Sequence, residues 1–140
     1  MVYTTGSAAE TMSLGRRLAG RLGPGTVVAF HGELGSGKTT MIKGICSGLG
    51  VTETVKSPSF VIATEYAGRL PVYHLDLYRV ASEAGLDGLD LDEYFGGDGV
   101  CLVEWAERCE SRLPRDAVRV RLESVPGGRR IEISGLAGLD

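Results

Sequence analysis

The stretch Gly32-Glu33-Leu34-Gly35-Ser36-Gly37-Lys38-Thr39-Thr40 constrains this chain more than any other. Its G-x-x-x-x-G-K-T spacing is suited to wrapping a backbone around a phosphate. Thr26-Val27-Val28-Ala29-Phe30 before it is a short apolar run, expected as a strand. Met41, Ile42, Ile45, Cys46 and Leu49 after it recur at helical spacing. In that strand–loop–helix context the glycines let backbone N–H groups turn inward, and the helix N-terminus adds partial positive charge at the same spot. Glu33, Leu34, Gly35, Ser36, Gly37, Lys38, Thr39 and Thr40 are therefore expected to line a nucleotide. Lys38 would reach its terminal phosphates, and the Thr39 hydroxyl would ligate its magnesium ion.

A chain of 140 residues implies one domain, 1–140, with a single core. A formal charge of -3 argues against a broad nucleic-acid surface, though not against a local contact. Three cysteines without C-x-x-C spacing, and only two histidines, argue against a disulfide framework or a structural zinc. No signal peptide and no apolar run of membrane-spanning length is present, so a reduced cytoplasmic setting is expected.

Along the chain, Val2-Tyr3-Thr4 reads as a short edge strand. Ser7 and Glu10 have capping-box spacing ahead of a helix carrying Leu14, Leu18 and Leu22. Residues from Phe60 to Tyr66 read as a strand turning at Ala67-Gly68-Arg69 into a second, from Leu70 to Leu75. Pro71 there suits an edge or a strand start. Weaker helical material, interrupted at Gly85 and Gly88, runs from Ala81 to Phe95, Val100 to Val103 suits a central strand, and a short helix from Ala106 to Leu113 stops at Pro114. Val118, Val120 and Leu122 alternate with charge, and Ile131 and Ile133 answer them across Pro126-Gly127-Gly128, which predicts a half-exposed antiparallel hairpin. The fold class expected is α/β: a P-loop NTPase domain with a mixed, mainly parallel central sheet and a C-terminal antiparallel hairpin.

Two acids stand where apolar strands end, Asp76 and Glu104, and open α/β sheets bind ligands at those ends. Asp76 is the preferred metal-site acid, and Glu104 could organise metal-bound water or polarise the attacking water. Both are read as metal-associated and catalytic, together with Lys38. Ser57 and Ser59 follow the loop helix, at a switch-like place where γ-phosphate is sensed. Trp105 could stack on a base or a partner, or pack in the core. His74 reads either as a hydrogen-bonded structural residue or as an orienter of the site. His31 precedes the loop and could contact its backbone, but structural support is the preferred reading. Arg108, Arg112 and Arg115, interspersed with Glu107, Glu110 and Asp116, read as a solvated face.

These residues match more than a generic phosphate loop. Gly32 to Thr40, Ser57-Pro58-Ser59-Phe60, His74-Leu75-Asp76-Leu77-Tyr78-Arg79 and Val103-Glu104-Trp105, in this order and spacing, resemble the bacterial TsaE family over nearly the full chain. The resemblance implies a small ATPase using ATP and Mg2+ in tRNA threonylcarbamoyladenosine synthesis. Its implied partners are TsaB and TsaD, with TsaD transferring the threonylcarbamoyl group to adenosine 37 of tRNA. It also implies phosphate and metal contacts at Lys38 and Thr39, a metal-site acid at Asp76, a switch position at Ser59, and a catalytic or nucleotide-proximal pair at Glu104 and Trp105. Ser36 stands where alanine is common, and Ser59 where threonine is common. Two other classes share the loop: an independent small-molecule or nucleoside kinase, which would need a lid with extra arginines, and a non-hydrolysing nucleotide-gated binding module.

Overall fold

The computed structural model describes residues 1–33, 37–55, 63–80, 83–87 and 89–136. In chain order they form strand β1 (Val2–Thr5), helix α1 (Ala8–Ala19), β2 (Val27–Gly32), α2 (Lys38–Gly48), β3 (Ala63–Ala67) and β4 (Pro71–Asp76). A 3₁₀ turn at Glu83–Leu86, a single helical turn α3 (Leu91–Tyr94), β5 (Val100–Glu104), a 3₁₀ segment at Ala106–Arg112, and strands β6 (Val118–Val125) and β7 (Gly128–Ser134) complete the chain.

All seven strands share one sheet, in the order β1-β7-β6-β2-β5-β4-β3. β2 pairs in parallel with β5 and β6, and β4 in parallel with β5. The flanking pairs β1–β7, β6–β7 and β3–β4 are antiparallel. The sheet is mixed as expected, with parallel pairing confined to its centre and equal in number to the antiparallel pairing. β5 is buried along its whole length, as its unbroken apolar run predicts for a strand covered on both faces. The hairpin alternates as expected: Val118, Val120, Leu122, Ile131 and Ile133 are buried on one face.

The core divides at the sheet. Val28, Phe30, Leu102 and Val120 pack beneath α1 and α2. Val27, Ala29, Leu75 and Val103 face the other way, onto Leu86, Leu91 and the segment after β5. Cys46, Cys101 and Cys109 are all buried, and none is in a disulfide. Between Ala81 and Phe95 the described residues carry weak, broken helical material, as expected. Among the described residues only the 3₁₀ turn and α3 form there, because glycines interrupt too short a stretch for helix propagation to offset nucleation. Among the described residues no helix is long and apolar enough to cross a membrane.

Ser7 caps α1 by accepting the Glu10 N–H at 3.1 Å, while the Glu10 carboxylate reaches back to the Gly6 N–H at 3.4 Å. This completes the reciprocal pattern of a capping box, one residue early on the return bond. α1 then lies directly on α2 through glycines. A Cβ on Gly15 would come within 2.5 Å of the Met41 carbonyl oxygen, and one on Gly44 would collide with the Met12 carbonyl. The backbones themselves are in contact, which fixes how deep α2 sits and hence where its first residue, Lys38, stands. Gly44→Ala should therefore destabilise the protein by about 1–3 kcal/mol through overpacking. Gly23→Ala, where a Cβ meets nothing within 4 Å, should be near neutral. Urea denaturation of the two variants checks this.

Candidate active site

β2, β4, β5 and β6 run in one direction, so their carboxyl ends share one edge of the sheet. Along that edge stand Gly32, Asp76 and Glu104. Asp76 and Glu104 are direct neighbours in register, and both lie on the face that carries α2. α2 begins over the same edge. Gly37 ahead of it has φ +102, a left-handed conformation that a side chain would strain.

Lys38 opens α2 and is only 4% exposed. Its Nζ donates to the Gly32 carbonyl at 2.6 Å, tying helix start to strand end, and lies 3.8 Å from the centroid of the Trp105 ring. Burial lowers the lysine pKa, while the negative charges of Glu104, Glu107 and Asp76 partly restore it. Burial likewise raises the Asp76 pKa, the Tyr78 N–H on its Oδ1 at 3.0 Å opposes that, and the Glu104 charge adds to the rise. Two carboxylates on adjacent strand ends repel, so a cation between them is favoured.

Trp105 is the sole non-glycine residue at positive φ among the described residues, at φ 59 and ψ 45. An L side chain there costs about 1–2 kcal/mol. The turn aims its ring at Lys38, with the Tyr78 ring 5.0 Å away and the Arg108 guanidinium 5.9 Å away. The ring thus meets cations on Lys38 and Arg108, contacts worth about 0.5–2 kcal/mol each.

The structure brings Lys38, Asp76, Glu104 and Trp105 together. Thr39 and Thr40 follow Lys38 in the first turn of α2, and Glu33 is exposed just past β2. Leu34, Gly35, Ser36, Ser57 and Ser59 lie outside the described residues. His31 makes no loop contact among the described residues, in keeping with the structural role preferred for it. The pleat turns it to the face away from α2, where its Nε2 lies 3.5 Å from Arg119 and burial lowers its pKa. Of the expected solvated face, Arg112 pairs with Asp87 at 2.8 Å, whereas Arg108 is part-buried and donates to the Val80 carbonyl at 3.3 Å beside the Trp105 ring.

Sequence reasoning missed a cleft of about 300 Å³ beside the α2 N-terminus, lined by Gly6, Ser7, Thr11, Thr40 and Arg129 among others. Three segments distant in sequence build it. Arg129 shares the inward face of Ile131 and Ile133, one pleat beyond the apolar core, against Gly37. The alternation of β7 carried the signal: an arginine at an inward position signals a polar site.

A phosphate loop, two strand-end acids and a central parallel sheet define a P-loop NTPase domain. The family model for "Threonylcarbamoyl adenosine biosynthesis protein TsaE" matches residues 5–131. The tRNA threonylcarbamoyladenosine biosynthesis protein TsaE of Bacillus subtilis is 45% identical over 119 residues, covering 84% of this chain and 74% of that protein. The protein of the same name from Treponema pallidum is 40% identical over 124 residues, covering 89% and 92%. The crystal structure of Bacillus subtilis YdiB superposes with a TM-score of 0.81 at 40% identity, covering 94% of this chain and 82% of that one. The chain belongs to the TsaE family and is an ATPase of tRNA threonylcarbamoyladenosine biosynthesis.

Because burial lowers its pKa, folded Lys38 releases its proton at a lower pH than the same lysine unfolded, whose value is 10.5. Between those two values the unfolded chain binds more protons, so this residue makes stability rise with pH. In the nucleotide-free protein, the stability of wild type relative to Lys38→Met should accordingly climb as pH approaches 10.5. Paired denaturant titrations at several alkaline pH values measure it.

Proposed function

We propose that the chain binds ATP with magnesium at the α2 N-terminus and hydrolyses it slowly when alone. That hydrolysis would support repeated turnover of a TsaB–TsaD complex that threonylcarbamoylates adenosine 37 of tRNA, with TsaD holding the tRNA. The observation that carries the reading is the buried Lys38 ammonium, fixed to the Gly32 carbonyl beside two strand-end carboxylates. A buried lysine at a helix N-terminus is prepared for phosphate oxygens.

The residues present suit a magnesium nucleotide. Among the described residues no group of three or more His, Cys, Asp or Glu is arranged to hold a metal alone. Magnesium in nucleotide sites leans on phosphates and water, with one or two protein oxygens. Thr39 and Asp76 would supply those oxygens, with Glu104 beside them. Bound with ATP, the ion would neutralise charge on the β- and γ-phosphates.

Lys38 would stabilise negative charge developing on the transferred phosphoryl oxygens, and the first-turn amides of α2 would add their dipoles. Glu104 would orient the attacking water, its carboxylate held in place at the end of β5. Leu34, Gly35 and Ser36 would offer backbone to the phosphates, and Ser57 and Ser59 would respond to the γ-phosphate. Base and ribose would occupy the cleft walled by Ser7, Thr11 and Arg129, with Trp105 covering the phosphate end.

Reconstitution with TsaB, TsaD and unmodified tRNA tests the reading by following phosphate release and modified nucleoside together. Wild type should give many turnovers, and Lys38→Ala should stop near one product per complex. Equal turnover with Lys38→Ala would overturn it. Glu104→Gln should lower phosphate release about 100-fold while ATP still binds, measured by single-turnover hydrolysis and equilibrium binding.

A further inference from the structure

We propose that His74 is a positioning residue for Glu104: it holds one carboxylate oxygen so that the other is presented to the nucleotide. The inference rests on the reading of Glu104 as part of the hydrolytic centre. His74 lies on β4 one pleat before Asp76, on the same face of the sheet, and reaches diagonally across to the end of β5. Its Nε2 is 2.7 Å from Glu104 Oε2, and the ring is fully buried. An ionised carboxylate accepts only, so the hydrogen in this bond belongs to Nε2.

His74 Nδ1 is buried without a hydrogen-bond partner among the described residues. A proton there would have no acceptor, which favours the tautomer carrying hydrogen on Nε2 alone and directs the ring's single donor at Glu104. The bond is not needed to join β4 to β5, since those strands already share a ladder from Val72–Val100 to Asp76–Glu104. It acts on a side chain at the site edge. Glu104 carries three side-chain torsions, and a fixed Oε2 leaves its other oxygen one preferred direction, on the face shared with Lys38 and Asp76. A neighbouring donor that fixes a functional carboxylate commonly matters 10–100-fold to activity.

The test uses the full chain assembled with TsaB and TsaD, measuring kcat and KM for ATP. His74→Leu, which fills most of the volume without a donor, should lower kcat about tenfold or more. KM should stay within roughly twofold, because the lost interaction is one with Glu104 rather than with ATP. His74→Gln, which can return an N–H to the Nε2 position, should recover most of kcat. In a Glu104→Gln background, His74→Leu should cost nothing further, since the two residues act as one unit. Equal losses in both backgrounds, or a His74→Leu enzyme as fast as wild type beside a slow Glu104→Gln enzyme, would overturn the proposal while leaving the role of Glu104 intact. A Glu104→Gln enzyme as fast as wild type would overturn both. Nitrogen-15 NMR of the wild-type imidazoles gives a readout that needs no His74 variant. The expected result is an Nε2-protonated ring whose resonance moves in Glu104→Gln, and an Nδ1-protonated ring would overturn the proposal.

Discussion

The site depends on one buried ammonium. Lys38 is out of water, and a lysine charge is tolerated there because the Gly32 carbonyl accepts its hydrogen bond, the Trp105 ring faces it, and Asp76 and Glu104 lie within its field. Those groups come from three strand ends and the turn beyond one of them. Displacing any one alters the balance for the others, since the same charges act on Asp76 in return. The arrangement resolves its own repulsion only in part, which leaves two carboxylates and one lysine suited to sharing a phosphate and its cation.

That balance is set by packing some distance away. α2 sits at its depth because Gly15 and Gly44 let two helix backbones touch, and Lys38 is the first residue of that helix. The sheet supplies the opposite wall: parallel pairing of β2, β4 and β5 places Gly32, Asp76 and Glu104 at one edge with no further adjustment. The antiparallel flank has its own part. The β6–β7 turn and the β1–α1 junction come up beside α2, so the C-terminal hairpin is a wall of the candidate nucleotide cleft as well as an edge of the sheet.

Most of the fold was legible because its signals are local. The loop motif with its flanking strand and helix, the capping box at Ser7 and the alternating hairpin each announce one element within a dozen residues. Among the described residues between 81 and 95 only short helical turns form, since a few apolar positions imitate helical period while glycines remove the cooperativity a helix needs. His31 stands next to the loop in the sequence, but the pleat of β2 turns it to the opposite face, where it serves the structural role expected of it. Arg129 went unnoticed because a charged residue in an alternating strand reads as solvent-facing, although its neighbours Ile131 and Ile133 show that its face is the inner one.

By itself, then, the sequence determined the chemistry on offer: a phosphate loop, a lysine, two strand-end acids, and the family that combines them. Only the tertiary structure decided how they meet. Strand order set Asp76 beside Glu104, a diagonal reach across two strands joined His74 to Glu104, and a left-handed turn laid Trp105 over Lys38. The physical reason is range. Motifs and periodicity report what a residue does with its near neighbours in the chain, whereas register, pleat direction and helix depth come from closing one core out of distant segments.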